Sequence, residues 1–423
     1  MVTSDITYGQ YVQILHEELI PAMGCTEPIA IAYAAAKARS VLGTVPDCLI
    51  IEVSGNIIKN VKSVVVPHTG GLRGISSAAA AGVIAGDAAR ELEVISQVSD
   101  AQIEAIRQYL QLAAIEVRHA ETPYVFDIMI TARHGNETSF VRIVEHHTNI
   151  VSVRKNDVVL FEKEIIAKTN GLTDRSCLNI ADVIEFANSV NLSDVQDVLE
   201  RQIEYNMAIA EDGLNNPYGA NIGKTLLKNH PGDLSYKMRA YAAAASDARM
   251  NGCEKPVIIN SGSGNQGITT SVPVIVYAKE KGISEEQLLR GLCVSNLVTA
   301  HLKTGIGRLS AYCGAVSAGC GAAAGIAYLQ GGGYDMIAHT VVNALAMDSG
   351  IVCDGAKASC AAKISSAIDA GLLGLEMYQG GNQFYGGDGL VKKGVENTIA
   401  TIGKLAQDGM GETDKEIIRL MME

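Results

Sequence analysis

Three regimes of apolar spacing follow one another along the chain. Over residues 5–20, Ile6, Tyr8, Tyr11, Val12, Leu15 and Leu19 recur at helical spacing, which predicts an amphipathic helix. A second helix is predicted from about Pro28 to Leu42, through an alanine-rich run. Near residue 44 the period falls to two. The runs DCLIIEVSG (47–55) and VKSVVVP (61–67) read as strands, because they are rich in β-branched residues. Helices are predicted near 74–90 and 99–115. Four strand-like runs follow, at 124–132, 138–145, 149–155 and 157–164, joined by the short links HGN, HTN and KND. Such links predict an antiparallel meander. From about 172 onward the pattern is helical again, broken by glycine-rich loops.

This order predicts an α+β fold. A mainly helical unit (1–43 and 170–423) carries an inserted α+β unit (44–169) with an antiparallel sheet. The rival arrangement is three consecutive units, with the N-terminal helices packed on the sheet. Composition sharpens the helical part. Hydrophobic residues make up 48% and charged residues 19%, which suits a large buried core rather than disorder. Aromatics are only 5%, with no Trp, so Ala, Gly, Val, Ile and Leu must fill that core and the helices must pack closely.

Charge then removes several function classes. With 34 Lys+Arg against 46 Asp+Glu the net charge is −12, the wrong sign for meeting phosphate or an anionic membrane surface. The uncharged stretch from Leu309 to Tyr334 is too rich in Ser, Gly and Cys for a membrane span, and predicts a buried small-residue helix followed by a loop. The start of the sequence has neither a basic n-region nor an apolar h-region, so a cytoplasmic location is expected. In a reducing compartment the nine cysteines point to metal or catalysis rather than disulfides.

Four of them fall in two stretches, AYCGAVSAGCGAAAG (Cys313, Cys320) and DSGIVCDGAKASC (Cys353, Cys360). Both pairs are seven apart. On one straight helix that separates them by about 10 Å, so a single cluster needs the chain to turn, as Asp-Gly allows. Burial as small core residues explains them equally well. Cys25 precedes Thr26, Glu27 and Pro28, which predict a helix start. A cysteine there gains thiolate character from the helix dipole, although an ordinary helix-entry turn accounts for it too.

The loop NSGSGNQG carries Gly262, Gly264 and Gly267 in the spacing of a dinucleotide motif. The β-branched segment after it, with Pro273, argues against that reading. Ser261, Ser263, Gly264, Asn265 and the backbone N–H groups instead suit an anion nest for a substrate carboxylate, or a plain tight turn. His68, in PHTGGLRG, is a further candidate site residue or a cap. His146 and His147 are expected as solvated turn residues, and His301 and His339 as core. HExxH, GxSxG and Walker A motifs are absent.

GCTEP (24–28), NSGSGNQGITTSVPV (260–274), CGAVSAGCGAAAG (313–325) and MDSGIVCDGAKASC (347–360) together resemble the L-cysteine desulfidases, relatives of the α part of iron–sulfur L-serine dehydratases. The resemblance covers nearly the whole chain. It implies a [4Fe–4S] cluster held by Cys313, Cys353 and Cys360, with Cys25 as the base that removes the Cα proton. It implies substrate contacts from the SGSGN loop, and no role for Cys48, Cys177, Cys253, Cys293 or Cys320. The implied reaction is β-elimination of L-cysteine to sulfide, ammonia and pyruvate without pyridoxal phosphate. An L-serine or L-threonine dehydratase using the same machinery is the near alternative, and a non-catalytic iron–sulfur or redox-sensing protein the distant one. The expected partners are a small amino-acid substrate and a second copy of the chain in a homodimer, with no nucleic acid and no membrane.

Overall fold

The computed structural model describes residues 5–24, 26–165, 172–307 and 310–423. Helix α1 (Asp5–Glu18) leads into strand β1 (Pro21–Met23), and helix α2 (Thr26–Leu42) leads into strand β2 (Cys48–Val53). Helices α3 (Gly55–Val61), α4 (Gly74–Ala85) and α5 (Asp100–Leu112) come next. Strands β3 (Ala114–His119), β4 (Asp127–His134), β5 (Glu137–Val144), β6 (Ile150–Lys155) and β7 (Val158–Glu162) complete a six-stranded sheet of order β3-β2-β4-β5-β6-β7. The predicted meander is there: β4 to β7 pair antiparallel in sequence. The fold is α+β, as the pattern predicts.

The sheet has one buried face. Ile51 stands opposite Ile130, and Ile130 opposite Val141, all fully buried. Helix α2 covers that face, and the Ser139 hydroxyl donates to the Ala38 carbonyl at 2.8 Å across the contact. The alanine-rich run is therefore a sheet-packing surface, and α2 belongs with the sheet core rather than with α1. The packing of α2 favours a proposed unit boundary before α2 rather than at 43; the boundary expected at 170 lies outside the described residues. We propose that the chain divides where its two hydrophobic cores meet.

Two strand assignments change. VKSVVVP (61–67) is no strand. Val61 ends α3, and Val64 to Val66 form a buried turn fastened by one bridge from Val65 to Arg73. A β-branched run buried on all sides gives the same apolar signal as a strand. The helix predicted over 99–115 ends at Leu112, and Ala114 begins β3, parallel to β2.

The second core is helical. Around it run α6 (Ile180–Ser189), α7 (Gln196–Asn215), α8 (Ile222–Asn229), α9 (Leu234–Met250), strand β8 (Pro256–Ile258, antiparallel to β1), α10 (Gly264–Lys281), α11 (Glu285–Ile306), α12 (Gly314–Leu329), α13 (Tyr334–Asp348), α14 (Cys360–Gln379) and α15 (Val395–Lys404), with α16 (Gly411–Met422) outside the core. The small-residue helix α12 is central and packs on α10, α11, α13 and α14. Its glycines allow this. A Cβ on Gly321 would sit 2.0 Å from Thr299 Oγ1, so no larger residue fits there. The segment after the GxGxxG motif is helix α10, but β8 pairs only with β1, antiparallel, so the parallel sheet of a dinucleotide fold is missing. Among the described residues no helix is long and apolar enough to cross a membrane.

Helix α16 returns across the other unit. Ile418 packs over Gly55 in α3, and Asp414 pairs with Lys59 at 2.5 Å. The two cores thereby close around a cavity.

Candidate active site

Three cysteines from two separate stretches of the sequence line one small cavity of about 150 Å³. Cys313 is the residue before α12, and Cys360 the first of α14. Cys353 comes from the loop between α13 and α14. That loop is paired to the segment before α12: the Cys313 N–H donates to the Ile351 carbonyl at 3.0 Å, and the Cys353 N–H to the Ala311 carbonyl at 2.6 Å. Two extended strips side by side bring Cys313 and Cys353 together. The turn that brings in Cys360 uses Gly355, at φ +91°. A Cβ there would sit 1.8 Å from the Lys59 carbonyl. Both the backbone angle and the contact require glycine.

The loop is stitched by its own charges. Asp354 pairs with Lys357 at 2.6 Å and with Lys363. Lys363 also donates to the Val352 carbonyl at 2.8 Å. Burial pushes the Asp354 carboxyl up, but the two ammonium groups hold it below the usual carboxylate range.

The thiols differ in proton affinity. Cys353 is held well below the ordinary thiol range, first by a hydrogen bond from Cys313, with Lys59 and the Gly355 N–H helping against burial. Cys313, the donor in that bond, is pushed up by it and by burial. Burial also raises Cys360. The N-termini of α10, α12 and α14 all open on the cavity, and helix N-termini favour anions. Lys303, in the last turn of α11, is buried on the same wall, and burial brings it down to about 8.

The SGSGN loop lines the same cavity with Gly262, Ser263 and Asn265. Its shape is fixed from behind. Ser261 is left-handed, at φ +51°, and its N–H donates to Glu18 at 2.7 Å. Glu18 is in turn held by Arg175 at 2.7 Å. Asn260 donates to Asn296, which exchanges hydrogen bonds with Gln202, and all three are buried. Ser263 caps α10 by accepting from the Gln266 N–H.

The predicted residues therefore separate. Cys313, Cys353, Cys360, Ser263 and Asn265 share the cavity. Ser261 faces a neighbouring cavity with Glu18, and Gly264 lies against Arg249. His68 lines a third cavity, where its Nδ1 is 2.8 Å from Glu254. Cys25 lies outside the described residues; the next two, Thr26 and Glu27, are on the cavity wall. Cys293 and Cys320 are sealed in the helical core, and burial drives both thiols up, Cys293 to about 12. His147 is not a solvated turn residue. It packs edge-on against Phe126 at 4.7 Å, and burial lowers its basicity. His301 is ion-paired with Glu396 at 2.6 Å. The sequence pattern did not single out Lys59, Lys303, Glu18 or Asn296. Buried lysines at helix ends were the one signal available for the first two.

The donor set fits a four-iron cluster. Among the described residues no three His, Cys, Asp or Glu side chains converge as one metal ion needs. A cube instead takes each thiolate on a different iron, so its ligands stand apart around a cavity. Three thiols on separate segments, faced by helix N-termini and lysines, suit an anionic group of that kind.

A sequence profile described as serine dehydratase alpha chain matches residues 89–419. Similar chains include a UPF0597 protein of Desulfitobacterium hafniense, 59% identical over 100% of this chain and 98% of its own. Another, from Treponema denticola, is 50% identical over 98% of both chains. A third, from Shewanella oneidensis, is 38% identical over 98% of this chain and 99% of its own.

Proposed function

Because the chain belongs to the serine dehydratase alpha-chain family, we propose that it is a cytoplasmic lyase that cleaves L-cysteine to sulfide, ammonia and pyruvate. The observation that carries this reading is the meeting of Cys313, Cys353 and Cys360 on one cavity wall. In this reading those three thiolates hold a [4Fe–4S] cluster, Cys25 is the base, and the SGSGN loop receives the substrate carboxylate. When bound, the cluster supplies a Lewis-acidic iron for the β-substituent.

The chain's own residues do the rest. Ser263 and Asn265 offer hydroxyl and amide donors at the N-terminus of α10, where the helix dipole adds to them. Glu18 and Asn260 keep the loop in its left-handed turn, so these donors are set before substrate arrives. The Cys25 thiolate takes the Cα proton. The electron pair left behind forms the Cα–Cβ double bond as the C–S bond breaks, and sulfide departs. The 2-aminoacrylate tautomerises to an imine and takes up water, giving pyruvate and ammonia. His68, expected as a substrate-binding residue, lines a separate cavity beside Glu254 and is given no part in this reading.

The family's description favours a second substrate, L-serine, eliminated by the same residues, and L-threonine would follow the same course. One assay separates the readings. Anaerobically purified protein is given each amino acid, and sulfide and pyruvate are measured. Sulfide with pyruvate from cysteine, faster than pyruvate from serine, supports the desulfidase; the reverse order makes the protein a dehydratase. No product from any of them leaves a non-catalytic iron–sulfur protein.

A further inference from the structure

The lysines around the cavity are not alike. Lys59 has Asp414, and Lys357 and Lys363 have Asp354. Lys303 is only 5% exposed, yet no carboxylate or carbonyl lies within bonding distance of it among the described residues. Its ammonium opens on the cavity, where the Cys353 and Cys313 thiols are the groups that favour its charge, and it keeps little of the water that would otherwise solvate it. Its place in the last turn of α11 offsets part of that loss through the helix dipole. The remainder calls for an anion.

The anion has to be small and has to sit beside the thiols. Lys303 lies on the wall of the cysteine cavity and also on the wall of the cavity behind it. Among the described residues the acidic ones in that second cavity are Glu18 and Asp174. Glu18 is committed to Arg175 and the Ser261 N–H, and Asp174 to Ser176. Neither is within ion-pair reach of Lys303. On the cysteine side a second buried group lacks a partner: Gln266, also 5% exposed, whose side-chain Oε1 accepts no hydrogen bond. One unpaired cation and one unpaired acceptor on a single small cavity match the two ends of an amino-acid zwitterion. A carboxylate needs a cation, and an ammonium needs an acceptor.

We infer that Lys303 is the charge that reads the α-carboxylate of the substrate, with the Gln266 amide facing its ammonium end. The SGSGN loop supplies neutral donors to the same carboxylate; Lys303 supplies specificity for an anion. This rests on the amino-acid lyase reading above, but its test does not need turnover.

The test is calorimetric binding of two thiols to the anaerobic holoprotein. One is 3-mercaptopropionate, which keeps the carboxylate and lacks the ammonium. The other is cysteamine, which keeps the ammonium and lacks the carboxylate. Lys303→Met should weaken 3-mercaptopropionate about 10- to 100-fold, the range for a charge-assisted hydrogen bond. Cysteamine should change less than about threefold, and iron per chain should stay the same. Lys303→Gln keeps the size and polarity without the charge and should weaken the same probe; Lys303→Arg should retain it. Equal weakening of both thiols, or of neither, overturns the inference. Loss of iron in Lys303→Met also overturns it, since the lysine would then serve the thiolates. If the native protein makes no product from cysteine or serine, yet loses 3-mercaptopropionate on substitution, the activity reading fails and the carboxylate site stands.

Discussion

Cys313 and Cys320 lie seven residues apart, one just before α12 and one inside it, in opposite surroundings. Cys313 precedes the helix, shares a hydrogen bond with Cys353, and meets a cavity lined by lysines and helix N-termini. Cys320 is 1% exposed among alanines and glycines, with nothing nearby to stabilise a thiolate. The same contrast runs through the molecule. A thiolate in the cavity is met by lysines and helix N-termini, whereas a charge in the helical core, such as that of Asp247, meets no cation. Residue type sets what a side chain can do, and the field around it decides whether it does it.

The largest expected effect breaks the contrast at its metal-binding end. Cys313→Ala, Cys353→Ala and Cys360→Ala should each abolish cluster and activity, read as iron per chain and as loss of the broad absorption near ~400 nm. If Cys320→Ala lost the iron and Cys313→Ala kept it, the assignment on α12 would be reversed.

Next comes Cys25→Ser. It should keep the iron and the spectrum while turnover and Cα–H exchange fall together by about 10²–10⁴-fold, the contribution of a general base. Lost iron would make Cys25 a ligand. Near-native turnover would move the base elsewhere.

A smaller effect tests the uncompensated side. Asp247 in α9 is 1% exposed; its Oδ2 accepts from the Gly223 N–H, and its Oδ1 has no partner. Burial raises its carboxyl to about 6, above the unfolded value of about 4. The folded state thus holds this proton more tightly. The benefit is complete below about pH 4 and is lost as pH rises through 6. Asp247→Asn keeps the acceptor and removes the charge. It should match the native protein in thermal unfolding at pH 4 and be more stable at pH 8, by about 3 kcal/mol. A constant difference at both pH values would refute the burial argument.

The smallest effect is Cys320→Ala, which should keep iron and activity and cost about 1 kcal/mol for one buried sulfur, measured by denaturant unfolding.

The sheet meander was legible because one face is buried and the other is not, which imprints period two on β4 and β5. Helix α10 was less legible, because Val272, Val274 and Val276 are β-branched and Pro273 is a poor helix former. Burial on nearly every side overrides that preference. The hydroxyls of Thr269 and Ser271 bond back to the carbonyls four residues earlier, and Pro273 sits one turn beyond them without breaking the helix. In the site, the cysteine and glycine segments carry local signatures. Glu18, Lys59, Lys303 and Asp414 do not. They are common residue types, and only the tertiary fold brings them to the cavity.

The Lys59–Asp414 contact joins residues 355 apart in the chain. Most of the helical core forms between neighbours in sequence, while this clasp must wait for a very long loop to close. A chain can therefore acquire most of its helix content before it has a pocket. The clasp is also among the first contacts to open: α16 has no buried side chain of its own. Amide hydrogens of α16 should exchange through sub-global openings that leave α12 protected, so the site can come apart and reassemble on a faster clock than the protein unfolds.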